Sequence, residues 1–166
     1  MLSKRLITLG VLAVCTVAST TIRAAELVPF KGTWTGLTLS ADPTGFPIIS
    51  IVSAGGGTVS HLGDATMISP HTTNVFTGDT EGDQIFTAAN GDTLTAYCDG
   101  GATPPAPGES VVGELDCTIT GGTGRFEGAT GSYTFSFVAS PRTDGGPGFA
   151  TVAIIDGSIS TVGSSN

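Results

Sequence analysis

The run of residues 121–133, Gly-Gly-Thr-Gly-Arg-Phe-Glu-Gly-Ala-Thr-Gly-Ser-Tyr, constrains the fold of this 166-residue chain more than any other segment. Its turn residues are Gly121, Gly122, Gly124 and Phe126. Glycine accepts the positive φ angles that tight connections between antiparallel strands often need. An alternating strand follows at once, with aromatic side chains on one face at Tyr133, Phe135 and Phe137. A strand punctuated in this way is typical of a closed or nearly closed antiparallel sheet.

The rest of the chain predicts strands and no convincing helix, because short alternating runs are separated by Gly, Pro, Asn and Asp. Strands are expected over residues 33–40, 48–53, 58–69, 72–77, 84–88, 93–98, 111–120, 132–139 and 149–155, and residues 157–162 can extend the last one. Gly55-Gly56-Gly57 is expected to break the second strand, and Asn90-Gly91 to form a two-residue hairpin. Seven to nine strands in roughly 140 residues predict an all-β fold, either a barrel or a sandwich of roughly eight strands. Of the two we expect an antiparallel β-barrel of about eight strands.

The first 25 residues read as a secretory signal peptide. Lys4 and Arg5 precede an apolar stretch, and small residues follow up to Ala24-Ala25. The apolar stretch is shorter than the ~20 residues of a membrane span. Cys15 sits in a faint lipoprotein-like context, but Val14 is too large for the position before an acylated cysteine. We therefore expect a signal over residues 1–25, a single barrel domain over residues 26–166, and a secreted or periplasmic protein.

Removal of the signal leaves three basic residues against 14 acidic ones, a formal charge of −11. Binding to a phosphate backbone needs several cations on one face, so this charge disfavours nucleic acid as a partner. It disfavours anionic membrane surfaces for the same reason. We expect the acidity to serve solubility.

Two cysteines remain in the exported chain, Cys98 and Cys117. In an oxidising compartment such a pair most often forms a disulfide. The bridge would close a loop of about 20 residues, which is worth ~3 kcal/mol in the chain-entropy model. Two free buried thiols are the alternative.

The motif Gly-Gly-Thr-Gly-Arg-Phe at residues 121–126 resembles the turn found in dirigent proteins and in the allene oxide cyclase barrel family. The segments 61–63 (His-Leu-Gly) and 88–92 (Ala-Ala-Asn-Gly-Asp) are similar to exported bacterial proteins with the same barrel. The resemblance is strongest over residues 111–139, and its motif is one of backbone geometry rather than chemistry. It implies a calycin-type, eight-stranded antiparallel barrel whose interior can hold a small apolar molecule.

The resemblance also implies two kinds of chemistry. Allene oxide cyclases close a ring around a buried carboxylate and a bound water, and dirigent proteins orient phenolic radicals beside acidic residues. Their functional carboxylates have no residue-by-residue match in this chain, so no catalytic residue is assigned. Glu114, Asp116 and Glu127 are the carboxylates nearest the turn, and we expect them at an exposed barrel rim.

The other clusters of reactive side chains do not form a complete catalytic or metal-binding site. Carboxylate side chains alternate along residues 79–83, as they do in a calcium-binding loop. Gln84 and Asn90, however, occupy the positions where such a loop needs glycine and glutamate, so we expect a solvated hairpin turn. His61 and His71 lack a third metal ligand. Ser60, His61 and Asp64 are neighbours in sequence, yet adjacent strand residues face opposite ways. We predict no metal and no cofactor.

Aromatic side chains can either fill the barrel core or line a ligand cavity. The candidates are Trp34, Phe86, Tyr97, Tyr133, Phe135 and Phe137. Trp34, Tyr133 and Phe135 are the ones we expect to face a cavity. The sequence favours a non-catalytic protein that binds a small apolar ligand or has a structural role outside the cell. The alternative is a cyclase- or dirigent-like isomerase with a buried carboxylate, and the oligomeric state stays open.

Overall fold

The computed structural model describes residues 26–104, 106–146 and 148–160. The expected signal peptide therefore lies outside the described residues, as does the far end of the extension expected over residues 157–162. The elements are eight strands and one short 3₁₀ helix: β1 (Leu27–Asp42), β2 (Ile48–Val59), β3 (Gly63–Asn74), β4 (Asp79–Ala88), β5 (Thr93–Ala102), β6 (Val111–Gly122), the helix (Gly124–Phe126), β7 (Gly131–Pro141) and β8 (Phe149–Ser160).

The eight strands form a closed antiparallel barrel, which confirms the predicted fold class. Every strand pairs with the next in sequence, and β8 returns to pair with β1. Side chains alternate along each strand, so that one set fills the interior and the other faces solvent. Closure leaves no sheet edge exposed to pair with another chain.

The strands are longer than the sequence indicated, and the breaks expected at residues 55–57, 70–71 and 79–83 are absent, whereas residues 60–62, expected inside a strand, connect β2 to β3. The Gly55–Gly57 segment does not interrupt β2, since Gly57 pairs with Trp34 of β1 and lies where a Cβ would collide with the Thr33 carbonyl oxygen. Residues 79–83 belong to β4 and form no hairpin turn. Of Asn90 and Gly91, Gly91 alone takes a positive φ. The periodic pattern was sound, but glycine and clustered carboxylates were wrong as boundary signals, because close strand contacts and solvent-facing strand positions also select them.

The two ends of the barrel differ. One end, here called the plugged end, carries the connections over residues 60–62, 89–92 and 123–130. The opposite end, here called the cavity end, carries the connections over residues 43–47, 75–78, 103–110 and 142–148. The proline-rich excursion expected after β5 is therefore one of the four loops around the cavity end.

The turn at residues 121–126 closes the plugged end. Gly124 has φ +58°, and the helix it begins turns Phe126 into the barrel, where the ring is fully buried. Arg125 lies over that ring at 4.9 Å and donates a hydrogen bond to the Leu62 carbonyl oxygen at 3.4 Å. Gly122 has no positive φ. A Cβ there would instead strike the Thr93 carbonyl oxygen.

Cys98 and Cys117 form the predicted disulfide. They lie directly opposite each other on β5 and β6, and both are buried in the interior. The bridge joins the two strands that flank the proline-rich loop. None of the helices within the described ranges is long and apolar enough to cross a membrane.

Candidate functional site

The interior is filled at the plugged end by packed aromatic rings. Phe30 and Tyr133 lie 5.3 Å apart between ring centroids, and Phe86 meets Tyr133 at 6.3 Å. Phe30 and Phe86 also contact each other edge to face at 6.4 Å. All three side chains are buried. This cluster belongs to the core, so Tyr133 supports the space above it rather than lining it.

Beyond this cluster the barrel contains a cavity of about 150 Å³ that opens toward the cavity end. Its lining comes from all eight strands and their connections: Trp34, Thr38, Ile49, Ile51, Ser53, Met67, Ser69, His71, Thr73, Val75, Thr80, Gln84, Ala102, Thr103, Val111, Leu115, Phe135, Phe137, Ala139, Phe149 and Thr151. An engineered apolar cavity of about 150 Å³ holds a molecule the size of benzene. The cavity can therefore enclose a small ring or one end of a longer molecule.

One wall of the cavity, formed by β1, β7 and β8, is aromatic. Trp34 contacts Phe135 at 6.0 Å between ring centroids, and Phe135 contacts Phe137 at 6.0 Å. The Trp34 ring lies over Gly36, where a Cβ would overlap the indole. Small residues beside large ones make room for inward-facing rings in a barrel of this size. The wall thus offers flat apolar surface to a ligand.

The facing wall, on β3 and β4, carries hydrogen-bonding side chains. From the plugged end upward, Ser69, His71 and Thr73 follow each other on the inner face of β3. Thr80 of β4 pairs with Thr73, and their hydroxyl oxygens are 3.0 Å apart. Thr80 also donates to the Gly78 carbonyl oxygen at 3.2 Å. The cavity therefore has an aromatic side and a polar side.

Gln84 stands at the base of this polar wall and is only 2% exposed. Its side-chain carbonyl oxygen accepts a hydrogen bond from the Tyr133 hydroxyl at 2.9 Å. Burial raises the pKa of Tyr133, which keeps the phenol protonated and able to donate. The Gln84 amide nitrogen has no hydrogen-bond partner among the described residues.

His71 supplies the titratable group of the cavity. Its Nδ1 lies 3.0 Å from the Ser69 carbonyl oxygen, which can only accept, so Nδ1 carries the hydrogen. That tautomer leaves Nε2 as an acceptor. Burial lowers the pKa of His71, an effect that the hydrogen bond to the Ser69 backbone only partly opposes. The imidazole is therefore neutral at neutral pH.

Carboxylates are absent from the lining of this cavity in the described part of the chain. The acidic side chains are exposed, apart from the half-buried Asp92 at the plugged end. Glu114 and Asp116 lie on the outer face of β6, and Glu127 is exposed at the plugged end. The acidity of the chain thus belongs to the outer surface of the barrel.

The structure separates several residues that are neighbours in sequence. His61, at the plugged end, contacts the Pro29 carbonyl oxygen through Nε2 at 3.0 Å, whereas His71 faces the cavity. Ser60 donates to the same carbonyl oxygen, and Asp64 accepts from Thr58, so these side chains form no catalytic relay. No cluster of three metal-ligating side chains occurs within residues 26–104, 106–146 and 148–160.

Of the expected cavity residues, Trp34 and Phe135 lie on its wall, and Phe137 lies beside them. Tyr97, another aromatic considered for the cavity, is exposed on the outer face of β5 and donates to Glu81 at 2.7 Å. Sequence reasoning missed Gln84. The available signal was strand alternation, because Gln84 shares the inward face of β4 with the buried Phe86.

The segments that carry the family resemblance lie together at the plugged end. Residues 61–63, 88–92 and 121–126 meet there through the Arg125 contact to Leu62 and the Asp92 carboxylate, which accepts from the Arg125 backbone at 3.3 Å. They close the barrel on the side away from the cavity. Comparison of the chain with protein-family models, with curated proteins and with solved structures finds no match. What is shown is an eight-stranded antiparallel barrel.

Proposed function

We propose that this protein binds a small, largely apolar molecule in the cavity at the cavity end. The observation that carries the proposal is the lining, which combines aromatic and aliphatic side chains with a few hydrogen-bonding groups. Ligand sites in proteins are typically concave and mostly apolar, with a small number of placed polar groups. Packed side chains fill the plugged end, so a ligand would enter the cavity from the opposite end of the barrel, the cavity end.

Exposed aromatic side chains at the mouth support the proposal. Phe46 and Phe76, from two of the loops at the cavity end, pack edge to face at 5.2 Å and are 61% and 67% exposed. Large apolar side chains in contact with each other at a surface often mark a binding site. A molecule longer than the cavity would leave its outer part in reach of these rings.

The alternative proposal is a cyclase- or dirigent-like isomerase, which rests on the resemblance of the turn at residues 121–126. Such a catalyst needs an acidic group beside the reacting atoms, with a pKa tuned by burial. The exposure of the carboxylates in the described residues favours binding without catalysis. Conversion of a bound molecule by the purified protein would favour the alternative.

A structural role outside the cell is a further proposal, and one surface favours it. Exposed apolar side chains lie on the outer faces of adjoining strands β8 and β1, at Val152, Ile154, Leu37 and Leu39. Large apolar patches on a protein surface commonly mark the place where a partner binds. Growth of the particle mass with concentration in light scattering would support self-association, whereas a constant monomer mass would not.

We further propose that the chain is exported, with residues 1–25 as its signal. The Cys98–Cys117 disulfide is compatible with an extracellular or periplasmic protein, because such bonds persist in oxidising compartments. N-terminal sequencing of the protein from its own host tests this, with a mature start near Ala25 or Glu26 expected. Recovery of intact residues 1–25 in the secreted fraction would contradict it.

Binding is tested first by native mass spectrometry of the mature protein purified from its host. A retained small molecule would identify the ligand directly. In vitro, α-methylstyrene is a hydrocarbon probe of suitable size. Trp34 is the only tryptophan of the chain, so a single indole N–H peak in a ¹H–¹⁵N spectrum reports binding at the wall.

Two neighbouring residues of β7 provide a matched pair of variants. Ala139 faces the cavity, whereas Val138 faces solvent. Ala139→Phe should fill the cavity and abolish the shift of the Trp34 peak, and Val138→Phe should leave it unchanged. Equal binding by both variants would show that the probe occupies another site and would contradict the proposal.

A further inference from the structure

We infer that the molecule bound in the cavity carries a neutral carbonyl group, whose oxygen accepts a hydrogen bond from the Gln84 side-chain amide. The inference rests on the proposed function, because it presupposes that the cavity binds a ligand. It adds the chemical class of that ligand and the direction in which it is seated.

The orientation of the Gln84 amide is determined by its neighbour. Besides Gln84, the Tyr133 hydroxyl has the Cys98 sulfur at 3.9 Å, and a disulfide sulfur is a weak acceptor. The phenolic hydrogen therefore goes to the Gln84 carbonyl oxygen, at 2.9 Å. This leaves the amide NH₂ group without a partner among the described residues, on a side chain that lines the cavity.

A second donor on the same lining lacks an acceptor. The Trp34 indole nitrogen is buried and has no hydrogen-bond partner in the described part of the chain. A buried donor without a partner has lost its hydrogen bond to water with no replacement, and native proteins keep few of them. The Gln84 amide, on a side chain that lines the cavity, is the donor that an acceptor bound there would meet, and a carbonyl oxygen has two lone pairs to offer.

The acceptor is neutral rather than a carboxylate. The Lys and Arg side chains of the described residues, Lys31, Arg125 and Arg142, do not line the cavity, and the His71 imidazole that does is neutral because burial lowers its pKa. All three have acidic partners elsewhere, since Lys31 pairs with Asp156, Arg125 with Asp92 and Arg142 with Asp144. Burying a carboxylate without a cation costs several kcal/mol, while a ketone, aldehyde, ester or amide oxygen avoids that cost.

The aromatic wall determines the rest of the ligand. With the carbonyl at Gln84, near the base of the cavity, the apolar body lies toward Trp34, Phe135 and Phe137. A flat or cyclic carbonyl compound matches this arrangement, with its longer substituents directed to the mouth. A carbonyl compound without an apolar body would leave the aromatic wall uncovered.

The test compares probes that share a shape and differ at one atom or charge. Acetophenone has a C=O group where α-methylstyrene has C=CH₂, and benzoate places a carboxylate on the same ring. Dissociation constants are measured for each probe by titration of the Trp34 indole peak. α-Methylstyrene is more hydrophobic than acetophenone, which favours its binding whatever the role of Gln84. The informative quantity is therefore the ratio of the two affinities, acetophenone to α-methylstyrene, compared between protein variants.

Two variants isolate the amide. Gln84→Leu alone would leave the Tyr133 hydroxyl unpaired, so the comparison uses Tyr133→Phe against the double variant Gln84→Leu/Tyr133→Phe, which differ only in the amide. Since a neutral hydrogen bond contributes about 0.5–1.5 kcal/mol, the acetophenone ratio should fall roughly twofold to tenfold on loss of the amide. Benzoate should bind the full protein at least about tenfold more weakly than acetophenone.

The outcomes separate the two proposals. An unchanged ratio between the two variants, with both probes bound, overturns the role of Gln84 while leaving the cavity a binding site. Benzoate binding as tightly as acetophenone overturns the neutral carbonyl. If the full protein binds neither acetophenone nor α-methylstyrene, the proposed function fails and this inference fails with it.

Discussion

Phe126 is the strongest test of the argument that the turn at residues 121–126 closes the barrel. Its side chain is fully buried, and a phenylalanine hides roughly 150–250 Å² from water. At about 25 cal/mol per Å² that burial contributes roughly 4–6 kcal/mol, of which alanine keeps a part. Phe-to-Ala changes in protein cores cost about 3–5 kcal/mol, and we expect Phe126→Ala to fall in that range. Loss of the Arg125 contact adds to the cost.

The assay is equilibrium unfolding in urea with the disulfide intact. For a slope of about 1–3 kcal/mol per M, the expected loss shifts the midpoint by about 2 M. Phe76→Ala is the matched control, since that ring is 67% exposed at the cavity end and should cost about 0.5 kcal/mol or less. If Phe126→Ala destabilises no more than this control, the turn does not plug the barrel and the reasoning is refuted.

Three further predictions concern the disulfide, the turn and pH. The non-reduced protein should be two hydrogens lighter than the reduced one, and replacing Cys98 and Cys117 by serine should cost ~3 kcal/mol; two freely alkylated thiols would disprove the bridge. Gly124→Ala should cost about 1 kcal/mol or more, because φ is +58° and the new Cβ would strike the Asp92 carboxylate; an unchanged melting temperature would contradict this. Burial lowers the pKa of His71 below 6.5, so the unfolded chain binds that proton first as pH falls. The free energy of unfolding should therefore decrease as the pH falls below 6.5, and the decrease should be smaller in His71→Gln. Equal pH profiles for the two proteins would exclude protonation of His71 as the cause.

Strand alternation predicted most of the fold. Tyr133 and Phe135 share a face because successive side chains in a strand point to opposite sides, and that rule depends on the backbone alone. Cys98 and Cys117 could be paired by counting, since they are the two cysteines outside the segment expected to be a signal. The break expected at residues 55–57 was wrong because glycine occurs both where a strand ends and where two strands approach closely. Only the partner strand shows that Gly57 is a site of close approach.

The candidate site could be predicted only in part. Trp34 and Phe135 follow from being large, apolar and inward, but the same properties suit Phe86, which the structure places in the filled half. Whether a ring fills the core or lines a space depends on how far the rings from other strands reach. Gln84 has no distinguishing local pattern, and its role arises from Tyr133, 49 residues later in the chain.

By itself, the sequence predicted that this chain forms antiparallel strands, that about eight of them make a barrel or a sandwich, and that two cysteines meet. These properties come from side-chain period, turn chemistry and composition, all of which are local. The tertiary structure alone decided that the turn at residues 121–126 plugs one end, that a cavity remains at the other, and that the Trp34 indole nitrogen has no hydrogen-bond partner among the described residues. Those features depend on how side chains from eight strands fill a shared volume, and no single segment of the chain specifies that volume.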